Sequence, residues 1–286
     1  MIDHDAAVLL IQCPDRPGIV AAISTFLFEH GANITDLDQH STEEDPGVYF
    51  MRLELQTGGL DLPLDALRAA FEQEIARPHA MRWKLAPARA RKSVAVLVSR
   101  HDHALLELLW AWRRGDLAAD LRMVISNHPD LEGAVAGFGL PFHVVPNDPG
   151  RRALAEREMA ALLGGVDLIV LARYMQIVSA GFVAARPDRI INIHHSFLPA
   201  FAGADPYRQA WERGVKIVGA TAHYVTAELD AGPIIEQDVA RVSHRLSVED
   251  LRRVGRDLER QVLARAVKWH CEDRVIVHGN KTVVFA

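Results

Sequence analysis

Apolar residues along this chain recur first with the period of a small mixed fold. Residues 6–12 form a nearly continuous apolar run that ends at Gln12, as a buried strand does. A loop rich in backbone punctuation follows: Cys13, Pro14, Asp15, Arg16, Pro17 and Gly18. Ile19, Val20, Ile23, Phe26 and Leu27 then share one stripe of a helix predicted over 19–30, with Gly31 as its stop. Strands are predicted over 33–38, 49–55 and 81–85, and a second helix over 64–75. The resulting order βαββαβ is the ferredoxin-like arrangement.

Residues 86–93 carry no hydrophobic pattern and read as a linker, which divides the chain into a module over 1–85 and a second domain over 94–286. Beyond the linker, strand and helix alternate. Strands are expected over 94–99, 122–126, 142–145, 167–172 and 189–194, and helices over 103–112, 130–138, 151–163 and 207–213. Two further strands flank Asp230, and a long helix over 247–269 opens with Glu249 and Asp250, a favourable placement on its dipole. Such alternation implies an α/β class with a Rossmann-like, mostly parallel sheet covered by helices. Ligands of open sheets sit beyond the carboxyl ends of the strands, the edge that gathers Asn192, His194 and the loops after Ser99, Ser126 and Ala172.

Composition narrows the partners. At 286 residues the chain is long enough for two domains, and 49% hydrophobic with 24% charged residues is ordinary for a folded globular protein. A formal charge of −5 with no basic cluster argues against a nucleic-acid partner. No apolar run is long enough to span a bilayer and no signal peptide is visible, so no membrane is expected and the compartment is read as the cytoplasm. Cys13 and Cys271 suggest neither a disulfide framework nor a zinc site. His101 and His103 lack a further ligand at metal spacing and read as surface turn residues, so no metal is expected.

The candidate chemistry lies in residues 189–199. Ile191 and Ile193 alternate with Asn192 and His194, so an amide and an imidazole leave one face of a strand about 7 Å apart along the backbone. Both can donate to one oxygen. Residues 220–233 make another strand ending in Glu228, Asp230 and a Gly232-Pro233 turn, which can return a carboxylate to that imidazole. An Asn and a His at a strand end are by themselves common turn or core residues. The ordered set Asn192, His194, Ser196, Leu198, Pro199, Gly203, Asp230 and Gly232 is more specific, and it resembles the formyltransferase-type folate enzymes. The first module resembles ACT domains through Asp15, Arg16, Pro17, Gly18 and Ile19, with Asn33 after the helix. Taken over the whole chain, the resemblance is to the formyltetrahydrofolate deformylase family, most specifically over 190–201 and 214–225, including the doubled His194 and His195.

That resemblance implies hydrolysis of 10-formyltetrahydrofolate to formate and tetrahydrofolate, with no cofactor besides the substrate. Asn192 and His194 would hold the oxyanion, and Asp230 would orient the ring and handle the proton. Ser196 reads as a turn or strand cap, and His195 faces the other side of the strand if extension continues. The folate would lie against Met175, Gln176, Ile177 and Val178 on one side and Val225, Thr226 and Ala227 on the other. The ACT resemblance implies an amino-acid effector at Asp15, Gly18, Ile19 and Asn33, and a homo-oligomer, dimer or tetramer. Two departures stand out: Gln176 where many relatives carry a basic residue, and Ala202 before Gly203 where a larger one is usual. The alternatives are a formyltransferase to an amine acceptor and a catalytically silent amino-acid sensor. The glycinamide ribonucleotide transformylases place a Gly-rich phosphate loop after the first strand. Here that stretch reads Ser99, Arg100, His101, Asp102 and His103, which provides poorly for a phosphorylated acceptor.

Overall fold

A computed structural model describes residues 6–148, 150–199 and 206–286 of the chain. Ala202 and Gly203 lie outside the described residues. The chain divides into two compact units.

The first unit is built from β1 (Ala6–Pro14), α1 (Ile19–Glu29), β2 (Asn33–Ser41), β3 (Val48–Gln56), α2 (Leu64–Phe71) and β4 (Arg82–Pro87). The sheet order β2-β3-β1-β4 is antiparallel throughout and realises the expected βαββαβ arrangement. The predicted helix over 64–75 ends in a π-helical turn, Glu72–Ala76, whose Glu72 carbonyl accepts from the Arg77 N–H and whose Ile75 and Ala76 carbonyls accept from the His79 and Met81 N–H groups. Ile23, Phe26 and Leu27 of α1 pack with Leu67 and Phe71 of α2 against Leu9, Ile11, Met51 and Leu53 of the sheet.

The other face of that sheet explains a departure from the expected boundary. β1 and β3 are buried on both sides, and Val8, Leu10 and Phe50 point away from the helices. Phe285, with Ile276 and Val283, covers them. The nearly buried Arg52 donates from Nε to the Asp273 carbonyl (3.1 Å), and Lys84 Nζ reaches the Asp273 carboxylate at 2.8 Å. Glu272–Ile276 and Val283–Ala286 therefore belong to the first unit rather than to a second domain running unbroken from 94 to 286. Apolar residues on both faces of β1 and β3 are the sequence signal for such a cover.

The second unit, Arg91–Cys271 with Val277–Thr282, holds a seven-stranded sheet. Its strands are β5 (Lys92–Val98), β6 (Ala119–Ser126), β7 (Phe142–Val144), β8 (Leu168–Leu171), β9 (Ile190–His194), β10 (Ile217–Tyr224) and β11 (Ile234–Arg241). They lie in the order β11-β10-β9-β8-β5-β6-β7, parallel from β9 to β7 and antiparallel at β10 and β11. The helices are α3 (His103–Arg114), α4 (Glu132–Ala136), α5 (Arg152–Leu162), α6 (Ala180–Ala184), α7 (Pro206–Glu212) and α8 (Val248–Cys271). α6, capped by the Ser179 side chain on the Phe182 N–H, has no counterpart in the sequence pattern because five residues are too few to show a helical period. The chain closes with β12 (Val275–His278) and β13 (Lys281–Val284). Among the described residues no helix is long and apolar enough to cross a membrane.

Phe285→Ala removes the ring that covers Val8, Leu10 and Phe50, and is expected to cost about 3–5 kcal/mol in the denaturant unfolding of the first unit. A loss below about 1 kcal/mol would show that the tail is not part of that core.

Candidate active site

β9 lies parallel to β8 and antiparallel to β10, and this change of direction assembles the site. The β9–β10 register sets Asn192 opposite His223 and His194 opposite Thr221. Opposed residues of an antiparallel pair share a face, so all four point the same way. Thr221 is fully buried and acts as a pin. Its hydroxyl donates to the Ser196 carbonyl (2.9 Å) and accepts from the Leu198 N–H (3.1 Å), which fixes the turn leaving His194. Ser99, just past β5, does the same for the loop after β8: its Oγ donates to Asn127 (2.7 Å) and accepts from the Met175 N–H (3.0 Å).

Asp230 arrives on the loop between β10 and β11. The Tyr224 N–H donates to the Pro233 carbonyl at 2.9 Å and closes that loop. A Cβ at Gly232 would stand 1.8 Å from the Tyr224 carbonyl oxygen, so only glycine permits the closure. Asp230 itself takes a left-handed backbone, φ 54°, which aspartate tolerates better than most residues.

The carboxylate so delivered stands 3.3 Å from His194 Nδ1 through Oδ2 and 3.7 Å from His223 Nε2 through Oδ1. Hydrogen bonding from His194 first, and from His223 second, holds the Asp230 carboxyl well below the usual carboxylate range, against burial that pushes it up. His223 Nδ1–H donates to the Tyr224 carbonyl (2.9 Å), so Nε2 faces both the Asn192 amide (3.2 Å) and Asp230 (3.7 Å), accepting from the amide in the neutral ring and donating toward the carboxylate only in the charged one. One N–H of that amide is thereby used, and the other has no partner among the described residues. His194 Nε2 is buried without a hydrogen-bond partner among the described residues. With Nδ1–H given to the carboxylate, Nε2 accepts in the neutral ring and donates when the ring carries its second proton.

These groups line a cavity of about 290 Å³. One wall is residues 173–178, with Met175 and Ile177 more than half exposed, and the other is residues 225–230. An apolar slot with a few convergent polar groups is the usual form of a small-molecule site.

A formyl transferase family model matches residues 92–267, and an ACT domain model matches residues 7–72. A formyltetrahydrofolate deformylase of Bacillus subtilis (strain 168) is 53% identical over 285 residues, covering 99% of this chain and 95% of the relative. The crystal structure of a formyltetrahydrofolate deformylase from Pseudomonas syringae pv. tomato str. DC3000 superposes with a TM-score of 0.97 at 48% identity, over 100% of this chain and 96% of that one. The chain belongs to the formyltetrahydrofolate deformylase family. Glycinamide ribonucleotide transformylase 1 from Symbiobacterium toebii, at 36% identity and a TM-score of 0.64, covers 68% of this chain and 95% of its own. The family's deformylases therefore share more of this chain with it than that transformylase does.

Within this family member, the cavity gathers Asn192, His194 and Asp230 with Met175, Gln176, Ile177, Val178, Val225, Thr226 and Ala227. Asp15, Gly18 and Ile19 line a separate cavity in the first unit with Arg16, Gln39 and Tyr49, whereas Asn33 is not in its lining and bonds Gln56 instead (3.1 Å). His103 is not a surface turn residue: it is largely buried and its Nε2 meets the carboxylate of Glu259 at 2.8 Å. No group of three or more His, Cys, Asp or Glu among the described residues is placed to hold a metal. His195 follows His194 with ring centres 5.0 Å apart. Sequence reasoning missed His223 and Thr221, although both stand in the quoted strand with the same alternation as Asn192 and His194.

Burial, then Arg173 and His194, push the His195 ring down to about 4 from an ordinary value of 6.5. Below pH 6.5 the unfolded chain binds a proton there that the folded chain refuses until about pH 4, so this site lowers stability as pH falls through that window. His195→Gln is expected to flatten the fall in unfolding midpoint between pH 6.5 and 4, and an unchanged slope would exclude His195 as its source.

Proposed function

We propose that the second unit hydrolyses 10-formyltetrahydrofolate to formate and tetrahydrofolate, the activity named for the relatives. The observation that carries this reading is the buried, unpartnered Nε2 of His194 beside the spare Asn192 amide N–H, with ionised Asp230 behind the ring. Those donors suit the oxygen of a formyl group under attack, which becomes negative and tetrahedral. Water adds to the carbon, the carbon–N10 bond breaks, one proton of the water passes to N10, and the other leaves to solvent as the product ionises to formate. Asp230 orients the His194 ring and the water and relays the water's proton. The pterin stacks in the slot between Met175 with Ile177 and residues 225–227. The only reactants are the folate and water, so no cofactor is needed. Buried cysteines at 13 and 271, neither of them in a disulfide, suit the cytoplasm.

In the first unit, the α1 N-terminus opens at Gly18 (φ 94°) without a side-chain cap. Its unpaired N–H groups can receive the carboxylate of an amino-acid effector, with Asp15 available to the ammonium group. Phe28 on α1 is 80% exposed and β2 is an almost wholly exposed edge strand, which supports self-association through this unit.

Formate release from 10-formyltetrahydrofolate with no acceptor added tests the reading. A hydrolase gives formate equal to folate consumed, a transferase little, and a silent sensor none. Asn192→Ala is expected to lower turnover about 10²–10³-fold with little change in folate affinity, and equal losses in both would make it a substrate anchor. Asp230→Asn is expected to lose at least about 10²-fold in turnover while binding folate within a few fold, and a near-normal rate would remove its proton role.

The effector reading has its own check: titrating glycine, serine and methionine should shift activity, and Asp15→Ala should abolish the shift. No response to any of them would leave this unit architectural.

A further inference from the structure

A second cavity of about 250 Å³ adjoins the catalytic one, and Arg173, Met175 and His195 line both. Its remaining walls are His101, His103, Tyr207, Arg252, Arg256 and Glu259. Arg252 and Arg256 pair with Glu249 at 3.6 and 3.5 Å, which leaves Arg173 beside Glu259, a carboxylate that is already engaged. Glu259 is only 1% exposed; Oε1 accepts from the Tyr207 hydroxyl and Oε2 bonds His103 Nε2, each at 2.8 Å. The packing is close, since a Cβ at Gly255 would stand 1.9 Å from the Tyr207 hydroxyl oxygen.

Arg173 is the group this network does not satisfy. Its Nε lies 3.5 Å from Glu259 Oε2, an ion-pair distance without hydrogen-bond geometry. Both Nε and Nη1 are buried with no hydrogen-bond partner among the described residues. Unmatched buried donors on a charged group are destabilising unless a ligand or water meets them. An anion small enough for the cavity, carrying oxygen acceptors, would meet them.

We propose that this second cavity is a binding site for the formate anion, which enters it from the catalytic cavity as it is released. The proposal rests on the hydrolytic reading above. Formate is created as an anion beside the ionised Asp230, which repels it, while the Arg173 guanidinium at the shared wall attracts it. Its two oxygens accept from Arg173, and Arg256 and Arg252 add positive potential at the outer wall. Removing the anion sideways separates it from the N10 amine while the pterin slot is still occupied.

The test is direct titration with ¹³C-formate, read by NMR line broadening at constant ionic strength, on the full-length wild type and three variants. Saturable binding is expected in the wild type and within two-fold of it in Asp230→Asn. It should weaken by about ten-fold or more in Arg173→Gln, the loss of a charge-assisted contact, and by a smaller factor in Arg256→Gln. Formate should also inhibit the wild-type reaction, and inhibit Arg256→Gln less. Circular dichroism establishes that each variant is folded; should Arg173→Gln unfold, Arg256→Gln decides alone. A wild type that releases formate but shows no saturable binding, or variants that bind it equally well, would overturn the site and leave the hydrolytic reading standing. Absence of formate release would overturn the hydrolytic reading, and the site with it.

Discussion

The carboxylate of Asp230 has to meet the ring of His194, and most of the second unit is arranged so that it can. The two residues belong to different strands' ends and are joined through a hairpin that must fold back on itself. Gly232 permits the fold-back by letting the chain pass within contact of the Tyr224 carbonyl. The antiparallel β9–β10 register then sets His223 beside Asn192, so the carboxylate arrives between two imidazoles rather than beside one. A half-buried anion in that setting is stabilised by what it orients. The ring of His194 gains a fixed direction, the carboxylate stays ionised, and the bare Nε2 belongs to a ring that lines the cavity.

Position matters as much as charge. An oxyanion donor that is displaced by an ångström loses much of its effect. Two buried hydroxyls hold the frame here. Thr221 ties the turn after β9, and Ser99 ties the loop after β8 to the end of β5. The donors therefore project from a rigid parallel sheet, while the apolar slot that faces them is made of two loops whose backbones are pinned at their roots.

Much of this was legible in the sequence because period and order carry it. The alternation of Ile191 and Ile193 with Asn192 and His194 describes the strand and its two faces, and the strand–helix alternation describes the sheet. What escaped depends on pairing between distant segments. His223 joins the site only through the β9–β10 register, which no local pattern states. His103 looked like a turn residue because its partner, Glu259, is far away on α8. The return of Phe285 to the first sheet was hidden for the same reason, although the apolar outer face of β1 and β3 asked for a cover. Short α6 falls below the length at which a helical period can be read.

Backbone strain gives an independent view of what the second unit favours. Of its non-glycine residues in the left-handed region, Arg173 and Asp230 both line the catalytic cavity, at φ 62° and 54°. For arginine this conformation costs on the order of 1–2 kcal/mol, and for aspartate less. Glycine at either position would relieve the backbone and remove the charge. The strain is tolerable because each side chain, once turned inward, meets a partner: Asp230 the His194 ring, and Arg173 the buried Glu259. Local preference thus yields to long-range electrostatics at two points on opposite walls of one cavity. A site selected only for stability would have no reason to carry either.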